Sequence, residues 1–99
     1  MQAIGRLAVS LREVRNAVLI EGHTDDVPIH TVRFASNWEL STARATAVVQ
    51  WLIERGGVEA SRLSAAGYGE FHPRVPNESS QARARNRRVD VVIAKGPQP

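Results

Sequence analysis

Asp25 closes the stretch Gly22-His23-Thr24-Asp25, which follows a short apolar run, Val18-Leu19-Ile20. Nineteen residues later comes Arg44, inside Leu40-Ser41-Thr42-Ala43-Arg44-Ala45. A strand that ends in a carboxylate, followed by a helix that presents an arginine, makes a two-pole pocket. The carboxylate accepts from an ammonium, and the planar guanidinium donates a fork of hydrogen bonds to a carboxylate. Such a pocket recognises a zwitterionic group and needs no catalyst. Ligands in α/β folds gather beyond strand ends, which is where Asp25 falls. Spacing leaves a plainer alternative beside this one. Asp25 would cap a turn, and Arg44 would pair in solvent with Glu39 or Glu70, as most charged residues stay solvated.

Other chemistries are weaker. His23 and Asp25 share a face if both lie on a strand, and His30 and His72 add imidazoles. No third ligand falls at a familiar metal spacing, so no metal and no cofactor are expected. Glu21, Asp25, Asp26 and Glu70 supply carboxylates, yet glycoside hydrolysis needs a matched pair flanking a bond. No Ser or Cys sits in a nucleophile motif beside a base, so no enzyme is expected. Five arginines fall between Arg74 and Arg88. A nucleic-acid binder would interleave aromatics for stacking, and residues 79–95 contain none. Asn86 and one of these arginines are expected instead to tie a helix to nearby loops through backbone carbonyls.

The elements that must position these residues can be read from periodicity. Ile4, Leu7, Ala8, Leu11 and Val14 recur at helical spacing, predicting an amphipathic helix over 2–15. Residues 17–21 read as a buried strand ended by Gly22. Residues 25–36, with Pro28, read as a loop. Ser36 and Glu39 form a capping box that starts a second helix. That helix carries Leu40, Ala43, Ala47, Val48, Trp51 and Leu52, with Arg55 suiting its last turn and Gly56-Gly57 stopping it. Trp38 and Trp51 are both read as core or staple residues. Residues 62–68 predict a second strand, and residues 70–78, with Pro73 and Pro76, a loop. Ser79 or Ser80 would cap a short polar helix near 81–87. Val89, Val91 and Ile93 predict a last strand with one buried face. The alternation of helices and strands argues for helices packed on a sheet.

Ninety-nine residues make one domain over 1–95, with 96–99 as a flexible tail. The net charge is +3, from 13 Lys+Arg against 10 Asp+Glu, enough to meet a polyanion but not decisive. There is no cysteine, which excludes disulfides and thiolate metal sites. No apolar run approaches the ~20 residues of a membrane helix. The first residues lack the apolar core of a secretory signal. If the domain works outside the cytoplasm, a segment upstream is expected to carry it there. The first helix begins without an N-cap ahead of it, as if a larger domain were entered part-way.

With these residues assembled, the chain resembles the OmpA-like peptidoglycan-binding domain. The residues that carry the resemblance are Gly22-His23-Thr24-Asp25, Asn37, Leu40-Ser41, Arg44-Ala45, Gly67-Tyr68-Gly69-Glu70, Pro73, Asn77 and Asn86-Arg87-Arg88-Val89, in the family's order and covering about residues 4–93. Within that family, Asp25-Asp26-Val27-Pro28-Ile29 and Ser36-Asn37-Trp38-Glu39-Leu40-Ser41 look like the flagellar stator (MotB) branch. The resemblance implies an α/β fold (an α+β sandwich), with helices on a small mixed sheet and the first strand missing from this chain. It implies a peptidoglycan stem peptide as ligand, chiefly its diaminopimelate. Asp25 is then the ammonium contact and Arg44 the carboxylate contact. Thr24, Asn37 and Leu40 line the pocket, and Asn86 and Arg87 belong to the supporting loop. It further implies a periplasmic domain of an inner-membrane protein, a homodimer, and a MotA-like partner met through upstream sequence. The alternative is a wall-anchoring domain of another envelope protein, a lipoprotein or a secretion-system component.

Overall fold

The computed structural model describes residues 2–95, with side chains from Ile4 onward. The tail expected at 96–99 lies outside the described residues. The order is α1 (Gln2–Arg12), β1 (Val18–His23), α2 (Asn37–Glu54), a 3-10 turn (Ala60–Arg62), β2 (Leu63–Gly67), α3 (Ser80–Asn86) and β3 (Arg88–Ile93). β1 is the central strand. β2 runs parallel to it and β3 antiparallel, so the sheet is small and mixed, as expected.

The core is built from the apolar face of α1 (Ala8, Leu11), the inward positions of β1 (Val18, Ile20), and Ala45, Leu52 and Val58. Trp51, Val48, Leu63, Val89 and Val91 close around it. α1 stops earlier than its periodicity suggested. The amides of Glu13 and Val14 bond to the carbonyls of Ser10 and Leu11 in a tightening turn, and Val14 is left exposed. The chain must then cross to β1, and Asn16 is fastened there by its side-chain amide donating to the Ala94 carbonyl at 2.7 Å.

Gly22 does not end the strand. It sits inside β1, paired in register with Gly67 of β2. The two glycines leave a bare patch of sheet on which α2 lies very close. A Cβ at Gly22 would meet the backbone of Ser41 well inside contact distance, and one at Gly67 would meet Thr42 and the Ser41 hydroxyl. This approach selects which face of α2 is buried. Ser41 and Ala45 point into the sheet, while Ala47 lies on the surface and Leu40 is only half-buried. Trp38, read from sequence as core or staple, is half exposed and stacks on Phe71 with ring centroids 5.2 Å apart. Ile93 is likewise half exposed at the end of β3, not on a buried face.

The helix caps follow their sequence signals with one change. Ser36 Oγ accepts from the Glu39 amide, but Glu39 reaches back to the Ala35 amide, one residue beyond the expected partner. At the other end Gly57 has φ +70, and the Val58 amide returns to the Leu52 carbonyl in a Schellman-like closure. Arg55 is the C-cap residue itself and not part of the last turn. Ser79, not Ser80, caps α3, its hydroxyl accepting from the Ala82 amide at 3.0 Å.

Two glycine substitutions separate close packing from propensity. Gly22→Ala should cost at least about 3 kcal/mol, since backbone must move to admit the methyl group. Gly5→Ala, in α1 with open space around it, should add about 0.5–1 kcal/mol. Urea unfolding of the two variants beside the parent protein checks both signs.

Candidate functional site: a cleft between the end of β1 and helix α2

Beyond the end of β1 at His23 the chain runs on into Thr24 and Asp25, both buried. The backbone there is held on both sides. The Tyr68 amide donates to the Gly22 carbonyl at 3.0 Å, and the Thr24 amide to the Gly69 carbonyl at 2.9 Å. Gly69 takes φ +60 to make this turn, and its own amide donates to the buried Ser41 hydroxyl at 2.9 Å. Ser41 thus locks the strand-end loops to α2. The Thr24 hydroxyl is directed locally, donating to the Asp25 carbonyl.

Asp25 makes two contacts of different kinds. Its Oδ1 accepts from the Val27 amide at 3.0 Å, the turn-capping role that sequence left open. Its Oδ2 accepts from Arg87 Nη1 at 2.7 Å, a charge-assisted pair across the site. An ionised carboxylate offers about four lone-pair positions, so two remain for a ligand. Arg44 makes no ion pair or hydrogen bond among the described residues. The solvent pairing with Glu39 or Glu70 is not formed: Glu39 caps its helix, and Glu70 accepts from Asn37 Nδ2 at 3.3 Å.

Asp25, Arg44 and Arg87 face one cleft of about 350 Å³. Thr24 and Asn37 form its polar floor and rim, and Leu40, Val27, Pro28 and Ile29 its apolar wall. Asn37 Nδ2 also holds the loop against α2 through the Val27 carbonyl at 3.1 Å. The first part of the 25–36 loop therefore forms a side of the cleft. With one carboxylate and two guanidiniums, the lining carries a net charge of +1 (two cations less one anion). Such a lining suits a ligand that brings a carboxylate to Arg44 and a smaller positive group to the spare lone pairs of Asp25.

Six of the seven residues named from sequence meet in this cleft: Thr24, Asp25, Asn37, Leu40, Arg44 and Arg87. Asn86 does not. It is fully buried behind the cleft, where Oδ1 accepts from the amides of Arg74 (2.8 Å) and Val75 (3.2 Å). Its Nδ2 donates to the Val75 carbonyl (2.8 Å) and to Asn77 Oδ1 (2.7 Å). Arg88 plays the arginine part of that expectation, donating to the His72 carbonyl at 3.0 Å. Two residues carry more than sequence assigned them. Arg87 is the direct partner of Asp25, 62 residues away, and no local spacing signals that. Ser41, a small polar residue within an apolar helix stripe, gave the only hint of its buried role.

His23, grouped with Asp25 in sequence, points elsewhere. Its ring stacks on Tyr68 at 5.3 Å and lies near Glu21 and Asp90 on the other face of the sheet.

The support beneath the cleft can be tested through Asn86. Asn86→Ala strands buried backbone groups, each costing ~1–3 kcal/mol. The protein should lose about 3 kcal/mol of stability, and limited proteolysis should open new cuts within 73–78. An unchanged melting curve with no new cuts would refute this role.

Comparison with known proteins places this architecture. The OmpA family pattern matches residues 1–87. Motility protein B of Bacillus subtilis (strain 168) is 45% identical over 76 residues, which cover 77% of this chain and 29% of that protein. The structure resembles the C-terminal domain of Helicobacter pylori MotB with a TM-score of 0.90 and 34% identity, over 96% of this chain and 73% of that one. It also resembles the cell wall anchor of the T6SS from Pseudomonas aeruginosa, with a TM-score of 0.86 and 43% identity, over 95% of this chain and 66% of that one. The chain therefore spans less than a third of the length of the Bacillus protein. A family match across most of the chain, the shared mixed sheet with its helices, and these likenesses lead to one conclusion: the chain belongs to the OmpA family, and solved periplasmic domains of MotB share its fold.

Proposed function

We propose that the domain holds the peptide stem of peptidoglycan in this cleft and so anchors a larger envelope protein to the cell wall, without turnover. The observation that carries the reading is the pairing of an unengaged Arg44 with a buried Asp25 that keeps free lone pairs, 19 residues apart in sequence and on one cleft. The side chain of diaminopimelate ends in an ammonium and a carboxylate on one carbon, matching those two poles. The apolar wall of Leu40, Val27 and Ile29 takes its methylene chain.

Each charge-assisted contact contributes ~1.5–3 kcal/mol net. Two or three of them, less the entropy of fixing a flexible peptide, give binding of roughly micromolar to millimolar strength per site. Many weak sites on a polymer add by avidity, above all in a homodimer. That suits an anchor that holds under load and can still exchange.

Likeness to MotB supports a stator role in the periplasm, with a membrane helix and a MotA-like partner supplied by sequence upstream. Likeness to the type VI secretion wall anchor, at 43% identity, supports the second reading: the same ligand, carried by another envelope protein. The sequence immediately upstream separates the two, as one membrane helix bearing an Asp marks a stator and a lipobox marks a lipoprotein.

Asp25→Asn and Arg44→Ala should each weaken co-sedimentation with purified sacculi by about 10-fold or more, with far-UV circular dichroism unchanged. Wild-type pelleting by either folded variant would sink the two-pole cleft. Release of soluble muropeptides over time would instead reveal a hydrolase. DNA retardation that depends on Arg83 and Arg85 but not on Asp25 would indicate a nucleic-acid binder.

A further inference from the structure

The face of the sheet turned away from α2 holds a second polar cluster. Alternation along β1 puts Glu21 and His23 on that face, opposite Ile20 and Gly22. The antiparallel register sets Asp90 of β3 directly across from Glu21, and Arg88 across from His23. Two like charges directly opposite on neighbouring strands repel, so this arrangement calls for a cation between them. Part of that demand is met by Arg88, whose Nε donates to both Asp90 oxygens at 3.1 and 3.0 Å.

His23 fits no ordinary structural role here. It is only 3% exposed, and neither ring nitrogen has a hydrogen-bond partner among the described residues. An unsatisfied buried polar group is costly and calls for an explanation. Its Nε2 aims at the two carboxylates, 3.5 Å from Asp90 Oδ2 and 3.9 Å from Glu21 Oε1. Donor atoms of all three residues lie within 4.8 Å of one another. A tetrahedral ion with bonds of ~2.0–2.1 Å keeps its donors roughly 3.3–3.5 Å apart. The 3.5 Å spacing of His23 and Asp90 already matches that, and the wider ones to Glu21 must close on binding. Tyr68 stacked on the imidazole, and His72 tilted against it at 6.4 Å, limit how the ring can turn.

We propose that Glu21, His23 and Asp90 form a site for a divalent transition-metal ion of the Zn²⁺ type, bridging β1 and β3, with a fourth position left to water. One imidazole and two carboxylates are borderline-hard donors that suit such an ion. Arg88 then orients Asp90 from outside the coordination sphere. Burial, with the Arg88 guanidinium, holds the His23 imidazole below its usual 6.5 against the opposing pull of Asp90 and Glu21. Sequence spacing missed the site because Asp90 is remote along the chain and Asp25, the nearer carboxylate, turns to the other side. The proposal does not depend on wall binding. The site does lie one residue from Thr24 and, through Arg88, one residue from Arg87, so a bound ion would stiffen the strand ends that carry the cleft.

The test uses the intact chain stripped with a chelator, then titrated with Zn²⁺ by calorimetry and with Co²⁺ by visible absorption. One equimolar site is expected, with a raised melting temperature and a tetrahedral Co²⁺ band. Glu21→Gln and Asp90→Asn, both at part-exposed positions, should each weaken binding at least tenfold, while His30→Gln should not. Ring nitrogen chemical shifts in the unmutated protein give an answer even if a variant misfolds, because metal must perturb Nε2 of His23. Failure of the parent protein to bind Zn²⁺ at one equivalent would overturn the proposal. So would binding that survives Asp90→Asn but disappears with His30→Gln, or a metal shift at the His30 or His72 ring in place of His23.

Discussion

The arrangement depends on one close contact, that of α2 on the paired glycines of β1 and β2. Because neither Gly22 nor Gly67 carries a side chain, the helix backbone at Ser41 and Thr42 descends onto the strands themselves. That depth brings the Ser41 hydroxyl within reach of the Gly69 amide, and the loop after β2 is pinned as a result. The same loop holds Thr24 through the Gly69 carbonyl. Asp25 and Arg44 share a cleft because their two elements are this near. A helix standing off at an ordinary side-chain distance would part them.

The charges of the cleft fall into two kinds. Arg87 neutralises Asp25 and fixes its rotamer, so the buried carboxylate is not left as an unpaired charge, which would be costly. Arg44 stays half-buried with no ion pair or hydrogen bond among the described residues, as the proposed carboxylate contact requires. The neighbouring carboxylates that could have engaged it are occupied, Glu39 at the helix cap and Glu70 with Asn37. Asn86 serves the same end from behind, with its amide spent wholly on the loop between Pro73 and Asn77.

Much of this was legible in the chain. Element types and order follow from apolar periodicity, and the caps at Ser36 and Ser79 from local hydrogen-bonding chemistry. Family motifs marked Asp25 and Arg44, which spacing alone left balanced against a turn cap and a surface ion pair. Other parts were not legible. The buried face of α2 was misjudged because Leu40, Ala47 and Trp38 look more apolar than Ser41, yet only a small side chain fits against the glycines. Gly22 was read as a stop signal because a glycine in a strand and a glycine after one look alike in sequence. Val27, Pro28 and Ile29 read as loop, and only their place beside Leu40 makes them a wall.

Sequence by itself determined the local structure and the family, since capping, periodicity and short motifs act over a few residues. Tertiary structure decided the partners: Arg87 for Asp25, Asn16 for Ala94, Ser41 for Gly69. Each of these pairs joins residues far apart in the chain, and whether they meet depends on strand register and on how closely a helix can approach. Those are properties of packing, which no single stretch of sequence contains.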